Sequence, residues 1–171
     1  MGKINLCEGV VAQMMETEAW SNISSTFAFN EAQLEKFEDK VDWKNVSSND
    51  SILWTAAMLE KFKNRIDWTS LSDSLNEDVF SIDLIEKFKD KWNWDKLSGS
   101  NEITLEFIDR FADYINWKVL VDNWKCGGWA SEEFVKKYSD RIPAGEFHNS
   151  RLWRELVEKK EKNLQKLICL G

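Results

Sequence analysis

The sequence predicts an all-α protein, a helical-repeat solenoid of about five to six helix-plus-short-turn units closed by an amphipathic C-terminal capping helix. Three observations predict it. A phrase of the form apolar-x-x-Phe-…-Asp/Asn-Trp-x-x-Leu returns along the chain, most clearly as Leu59, Phe62, Ile66, Asp67, Trp68 and Leu71. The chain has one Pro and seven Gly in 171 residues, with 31% charged residues, which favours helices over a turn-rich β architecture. Ten Trp and ten Phe supply the bulky apolar area that short repeated elements need in order to pack.

The copies align on their Trp or its equivalent, at positions 20, 43, 68, 94, 117 and 144. A spacing of roughly 25 residues marks stacked supersecondary units, none of which buries its apolar face alone. Residues 1–26 are a degenerate N-terminal cap carrying Val11, Met14 and Trp20. Residues 27–148 hold the tandem repeats. Residues 149–171 form the C-terminal helix, and the whole 1–171 reads as one repeat domain.

Within a copy, Leu59, Phe62 and Ile66 fall at i, i+3 and i+7, one stripe of a helix. Each such helix has a capping residue four positions before its stripe: Asn30, Thr55, Ser81, Thr104 and Ser131. An apolar residue precedes each cap (Phe29, Trp54, Phe80, Ile103, Ala130), and Trp54 with Leu59 makes the staple pairing; Gln33 completes a capping box with Asn30. The helices are expected to run about ten residues, to near Lys40, Arg65, Lys91, Tyr114 and Arg141. Asp42, Asp67, Asn93 and Asn116 then cap a second, short turn that brings Trp43 and Val46, or Trp68 and Leu71, to one side. Pro143 takes that slot in the fifth copy, where Ala144-Gly145 makes the second turn doubtful. Ser47-Ser48-Asn49-Asp50 reads as a polar loop between copies. Ser150–Leu170 reads as an amphipathic helix with Leu152, Trp153, Leu156, Val157, Leu164, Leu167 and Ile168 inward.

The pattern Ile85, Phe88, Asp90, Trp92, Asn93, Trp94, Leu97, Ser98, with its counterparts over about residues 11–147, resembles the tandem Trp-containing short helical repeats found in uncharacterised phage, gut-bacterial and giant-virus proteins. The resemblance implies the architecture. It implies no catalytic residues. A narrower expectation follows from it together with the net charge of −7: an inhibitor from a phage or mobile element, anti-CRISPR-like, that binds a host defence nuclease or its guide RNA.

The residues themselves point away from catalysis. The single His, His148, has no triad or metal partners in its neighbourhood, and Cys126-Gly127-Gly128 lacks the spacing and the Lys-Ser/Thr of a phosphate loop. Glu35, Glu60 and Glu86 hold one slot in three copies, as a structural role demands. No catalytic residue, metal ligand or cofactor is expected. Cys7, Cys126 and Cys169 are an odd set without CxxC spacing, which suits a reducing compartment. With no signal peptide and no apolar run long enough to span a bilayer, the expectation is a cytoplasmic protein without a membrane role, in the host cytosol if phage-encoded.

Binding is expected where the copies disagree. The joint Val121–Trp129 carries Trp124, Lys125 and Trp129 around a Gly pair, in place of a polar linker. The C-terminal helix adds Arg151, Arg154 and Lys159. These six are the candidate partner-binding residues. For the two Trp, the competing reading is that both rings fold back over the fourth and fifth copies. For the basic helix it is a solvated face interleaved with Glu155, Glu158 and Glu161. The acidic stretch with Glu31, Glu35, Glu38, Asp39, Asp42 and Asp50 could occupy a basic groove, or simply be solvated. A protein partner is the first expectation. RNA or DNA binding through the basic helix and the 121–130 loop is the alternative, with nucleic acid also conceivable as part of a ribonucleoprotein partner. The oligomeric state is open.

Overall fold

A computed structural model describes residues 8–74 and 81–170. The staple residue Phe80, Cys7 and the first seven residues of the N-terminal cap lie outside this range. Among the described residues the chain is all-helical, with twelve α-helices, one 3-10 turn and no strand. It divides into two compact units, Met1–Lys91 and Trp92–Gly171.

The first unit contains α1 (Glu8–Thr26), α2 (Glu31–Lys36), α3 (Trp43–Ser48), α4 (Ala56–Lys61), α5 (Trp68–Asp73) and α6 (Ile82–Lys87). The second contains α7 (Trp94–Gly99), α8 (Leu105–Phe111), α9 (Trp117–Leu120), a 3-10 turn at Cys126–Gly128, α10 (Glu132–Lys137), α11 (Ala144–Phe147) and α12 (Arg151–Leu170). Leu34, Val46, Ile52, Leu59, Leu71 and Ile85 are fully enclosed in the first unit. Leu97, Phe107, Ile108, Phe111, Leu120 and Leu152 are enclosed in the second.

The helix starts fall where the capping residues place them. Asn30, Thr55, Ser81, Thr104 and Ser131 each accept a hydrogen bond from the backbone N–H three residues on, and Asn30 with Gln33 forms a complete capping box. Asp42, Asp67, Asn93 and Asn116 cap the second helices in the same way. The first helices are shorter than expected, at six or seven residues, and finish in a tight turn. The reason is visible in the bonds around the Trp. A continuing helix would pass the Asp42 N–H to the Glu38 carbonyl. Instead Trp43 Nε1 donates to Glu38 O at 2.8 Å, and the Asp42 N–H donates to Ser24 Oγ at 2.9 Å. Trp68 takes Lys63 O while Asp67 N–H reaches Ser47 Oγ, and Trp117 takes Ala112 O while Asn116 N–H reaches Ser98 Oγ. The indole thus ends its own copy's first helix, and a serine of the preceding copy receives the amide set free.

Each Trp ring lies against the aromatic residue of the next copy. Centroid separations are 5.3 Å for Trp20–Phe37, 5.2 Å for Trp43–Phe62 and 5.4 Å for Trp68–Phe88 in the first unit. In the second they are 5.4 Å for Trp94–Phe111 and 4.8 Å for Trp117–Tyr138. Outside the rings, charges interlock: Lys61 reaches Glu31 and Glu35, Arg65 reaches Asp39, and in the second unit Lys137 reaches Asp109 and Arg141 reaches Asp113. These pairs are exposed and each contributes little, so the rings and the buried apolar stripe carry the packing.

Three expectations change. The stretch Ser47–Asp50 is not a plain polar loop, because Ser47 and Asn49 are buried. Asn49 donates to the carbonyls of Ser24 and Phe27, and Asn123 does the same to Ser98 and Ser100. The fifth copy does form a second turn, α11, with Pro143 at its N-cap; a fixed φ of −66° suits a helix start without any side-chain cap. Finally, α12 is inward-facing only in its first half. Leu152 is buried, but Leu164, Leu167 and Ile168 are exposed, because α12 extends beyond the helices that cover it.

Candidate interaction surface

The second unit breaks its pattern at the joint after α9. Asn123 Oδ1 accepts from the Lys125 N–H at 2.8 Å and starts a turn that continues into Cys126–Gly128. Onto this turn packs the start of α12. The Leu152 N–H donates to Val121 O at 2.8 Å, and the Arg151 N–H donates to Asp122 Oδ1 at 3.0 Å. Ser150 caps α12 by accepting from the Trp153 N–H.

This docking sorts the six candidate residues. Trp124 is 61% exposed, yet its ring is held. Its indole N–H donates to the Asn101 side chain, and the Arg151 guanidinium lies 5.8 Å from its ring centroid. Arg151 also faces Glu155 at 3.8 Å. Trp129 folds inward, 4.7 Å from the Phe134 ring, and its buried Nε1 has no hydrogen-bond partner. The inward reading therefore holds for Trp129, while Trp124 stays at the surface. Lys159 turns back and donates to the carbonyls of Gly127 and Ala130 at 2.8 and 2.6 Å, so its charge closes the end of the 3-10 turn. Lys125 and Arg154 point to solvent. Arg154 follows Arg151 by three positions, which places both on adjacent parts of one helix face.

Beneath the cluster, Cys126 is fully enclosed. Burial, then the neighbouring Glu155 carboxylate, pushes its thiol up to about 11, so it stays protonated and unreactive. The Glu155 carboxylate lies close over Gly127, where a Cβ would come within 2.9 Å of its Oε2 and turn that carboxylate aside. The surface cluster thus rests on a fixed floor.

Other titratable groups that shift do so for structural reasons. The Asp67 carboxyl is lowered by the Ser70 N–H that it caps. Asp109 is lowered by the Lys137 ammonium and then by the Tyr138 hydroxyl. Among the described residues no group of three or more His, Cys, Asp or Glu could hold a metal ion, and no helix is long and apolar enough to cross a membrane. His148 lies edge-on to Trp153, with centroids 4.6 Å apart.

Sequence reasoning reached Trp124 and Arg151 separately, but not their contact or its Asn101 support. Asn101 sits 23 residues before Trp124, one repeat back, and that offset is the only sequence signal linking them. Comparison with family models, with curated proteins and with solved structures gives no match.

Proposed function

We propose that this chain is a non-catalytic binding protein, a helical-repeat solenoid that engages a protein partner through the irregular joint after its fourth copy. The supporting observation is the Trp124–Arg151 pair. Trp and Arg are the side chains that most often anchor an interface. Here they are held against each other and against Asn101 before any partner arrives, so little side-chain freedom remains to be lost on binding.

The α12 charges favour a protein over a nucleic acid. Arg151 faces Glu155, Lys160 faces Glu132, Lys162 faces Glu158, and Lys159 is taken by carbonyls. A phosphate backbone needs clustered cations that are not already engaged. The acidic stretch is likewise engaged within the first unit, where Lys61 and Arg65 meet Glu31, Glu35 and Asp39. In its narrower form the partner is a host defence nuclease or its guide RNA; that form rests on the sequence resemblance and the acidic charge.

The test is affinity capture from a bacterial lysate with the natural chain and with Trp124→Ala and Arg151→Ala, each checked for an unchanged circular-dichroism spectrum. The expected result is a partner whose binding weakens at least tenfold in both variants, as for an interface anchor contributing about 1.4 kcal/mol or more. Capture indifferent to both substitutions overturns this surface. A salt-sensitive gel shift with RNA or DNA that Arg154→Ala abolishes overturns the protein partner in favour of nucleic acid. If the captured partner is a nuclease, an undiminished cleavage rate in the presence of the chain removes the inhibitory form alone.

A further inference from the structure

One slot of the repeat is filled differently in the first copy. The third residue after the first cap is Met58, Leu84, Phe107 or Phe134 in the later copies, and all four are buried. In the fourth and fifth copies it completes a set of three rings. Phe107 lies 6.2 Å from Trp94 and 4.8 Å from Phe111, and Phe134 lies 6.3 Å from Trp117 and 5.0 Å from Tyr138. In the first copy the slot holds Gln33. Its side chain is drawn back to the start of α2, where Oε1 accepts from the Asn30 N–H at 2.9 Å. An open apolar hollow of ≈ 250 Å³ is left, lined by Trp20, Ile23, Phe27, Phe29, Gln33 and Phe37. Phe37 stays half-buried, although its counterparts Phe62, Phe88, Phe111 and Tyr138 are buried.

The charge beside the hollow is unmatched as well. Lys36 lies 5.3 Å from the Phe37 ring centroid, just as Lys61, Lys87 and Lys137 lie 5.7, 5.1 and 5.2 Å from those of Phe62, Phe88 and Tyr138. Each of those three lysines also reaches an acid one copy back: Lys61 reaches Glu35, Lys87 reaches Glu60 and Lys137 reaches Asp109. Among the described residues Lys36 pairs with no acid. The cause is α1. It is one continuous helix from Glu8 to Thr26, which supplies Trp20 and Ser24 to the joint but no separate first helix to stand against α2.

We propose that this side of α2 receives a short amphipathic helix of a partner protein, which seats a Phe, Leu or Met in the hollow and sets an Asp or Glu against Lys36. The later copies define both requirements. The slot's own occupants there are Met, Leu and Phe, and the acids that meet the lysine are Glu and Asp. The hollow is smaller than the ~300–1,000 Å³ of a typical small-molecule pocket, whereas a helix laid in a groove needs depth only for its anchor side chains. Lys40 is already held by Glu16 at 3.1 Å, which leaves Lys36 to orient the incoming helix. Because Lys36 overlies a ring that lines the hollow, the acid and the anchor must stand within one turn of each other on the partner. This surface belongs wholly to the first unit and shares no residue with the Trp124 joint, so failure of either leaves the other standing.

Selection of displayed peptides of about 15 residues, long enough for a short helix, on the full chain tests the proposal, with affinities then read by fluorescence anisotropy. The retained peptides are expected to carry an Asp or Glu within one helical turn of a Phe, Leu or Met. Gln33→Phe gives the first copy the ring of the fourth and fifth. It is expected to close the hollow and weaken these peptides at least tenfold, which converts to about 1.4 kcal/mol or more, while the melting temperature is kept. Lys36→Glu, at an exposed position, is expected to weaken them at least tenfold and, in a fresh selection, to favour Lys or Arg in place of the acid. Trp124→Ala is expected to change neither result. Failure to retain any peptide overturns the proposal. So does binding indifferent to Lys36→Glu, or to a Gln33→Phe variant that keeps its melting temperature. Uptake of indole by the natural chain and not by Gln33→Phe, with no peptide retained, overturns it in favour of a small aromatic ligand. Self-association of the full chain that Gln33→Phe abolishes overturns it in favour of a second copy.

Discussion

A serine hydroxyl has one proton to give and can accept one in return, and in this chain both uses meet at a joint. Ser98 Oγ donates to the Trp94 carbonyl at 2.6 Å and accepts from the Asn116 N–H at 2.9 Å. Ser47 does the same between the Trp43 carbonyl and the Asp67 N–H. Both serines are buried, so no water replaces their hydroxyls. Ser98→Ala leaves a buried amide without an acceptor, and a loss of about 1–3 kcal/mol in unfolding free energy is expected by urea titration. Truncation of an exposed serine such as Ser48 is the control and should cost far less. These residues were only partly legible. The Ser after Leu was visible as part of the repeated phrase. Its burial was not, because a Ser-Ser-Asn-Asp run has the composition of a solvated loop. Only an amide supplied by the following copy makes it interior.

At the level of the helix, the second caps differ between the units. Asp42 and Asp67 serve in the first, Asn93 and Asn116 in the second. Both residue types accept the same backbone bonds, but only Asp titrates. Bonds from the Ser70 backbone N–H and its hydroxyl hold the Asp67 carboxyl below its ordinary value. A lowered folded-state value means that the stabilisation is present above the unfolded carboxylate range and disappears as pH falls through the folded value. Asp67→Asn is therefore expected to flatten the fall in melting temperature between about pH 5 and pH 2, with little change at about pH 7. The comparison is thermal melting of both forms across that range. The caps were the most legible feature of the chain, since a cap depends only on a side chain and the amides of the turn it opens. The helix ends were less so. Their position is set by the Trp indole reaching back to a carbonyl of the preceding turn, a competition that the apolar stripe does not record.

For the molecule as a whole, repetition accounts for most of what could be read in advance, and its ends account for most of what could not. The stripe of α12 looked uniform in sequence, yet only its first half meets a neighbour. An amphipathic pattern states that a face is apolar; it does not state where the covering surface stops. Since residues 164–170 are exposed throughout, a chain ending at Asn163 is expected to keep its melting temperature to within about 2 °C in dilute solution. A larger fall, measured by circular dichroism, would mean that the outer half of α12 does support the second unit.

Ala144, in the Trp slot of the fifth copy, bears on how such a chain changes length. Three joints within the compact units, Ser24 to Asp42, Ser47 to Asp67 and Ser98 to Asn116, use the same parts: a ring handed forward, a hydroxyl handed forward and an amide reaching back. A segment of one period therefore brings with it both halves of the connection it needs. It can be duplicated or excised in frame without creating a surface of new chemistry. Ala144 interrupts this exchange, because it has no ring to offer the position that follows. It acts as a stop codon written in packing rather than in nucleotides. Regular copies can multiply ahead of the Trp124 joint, while that joint, the fifth copy and α12 keep the contacts they make now.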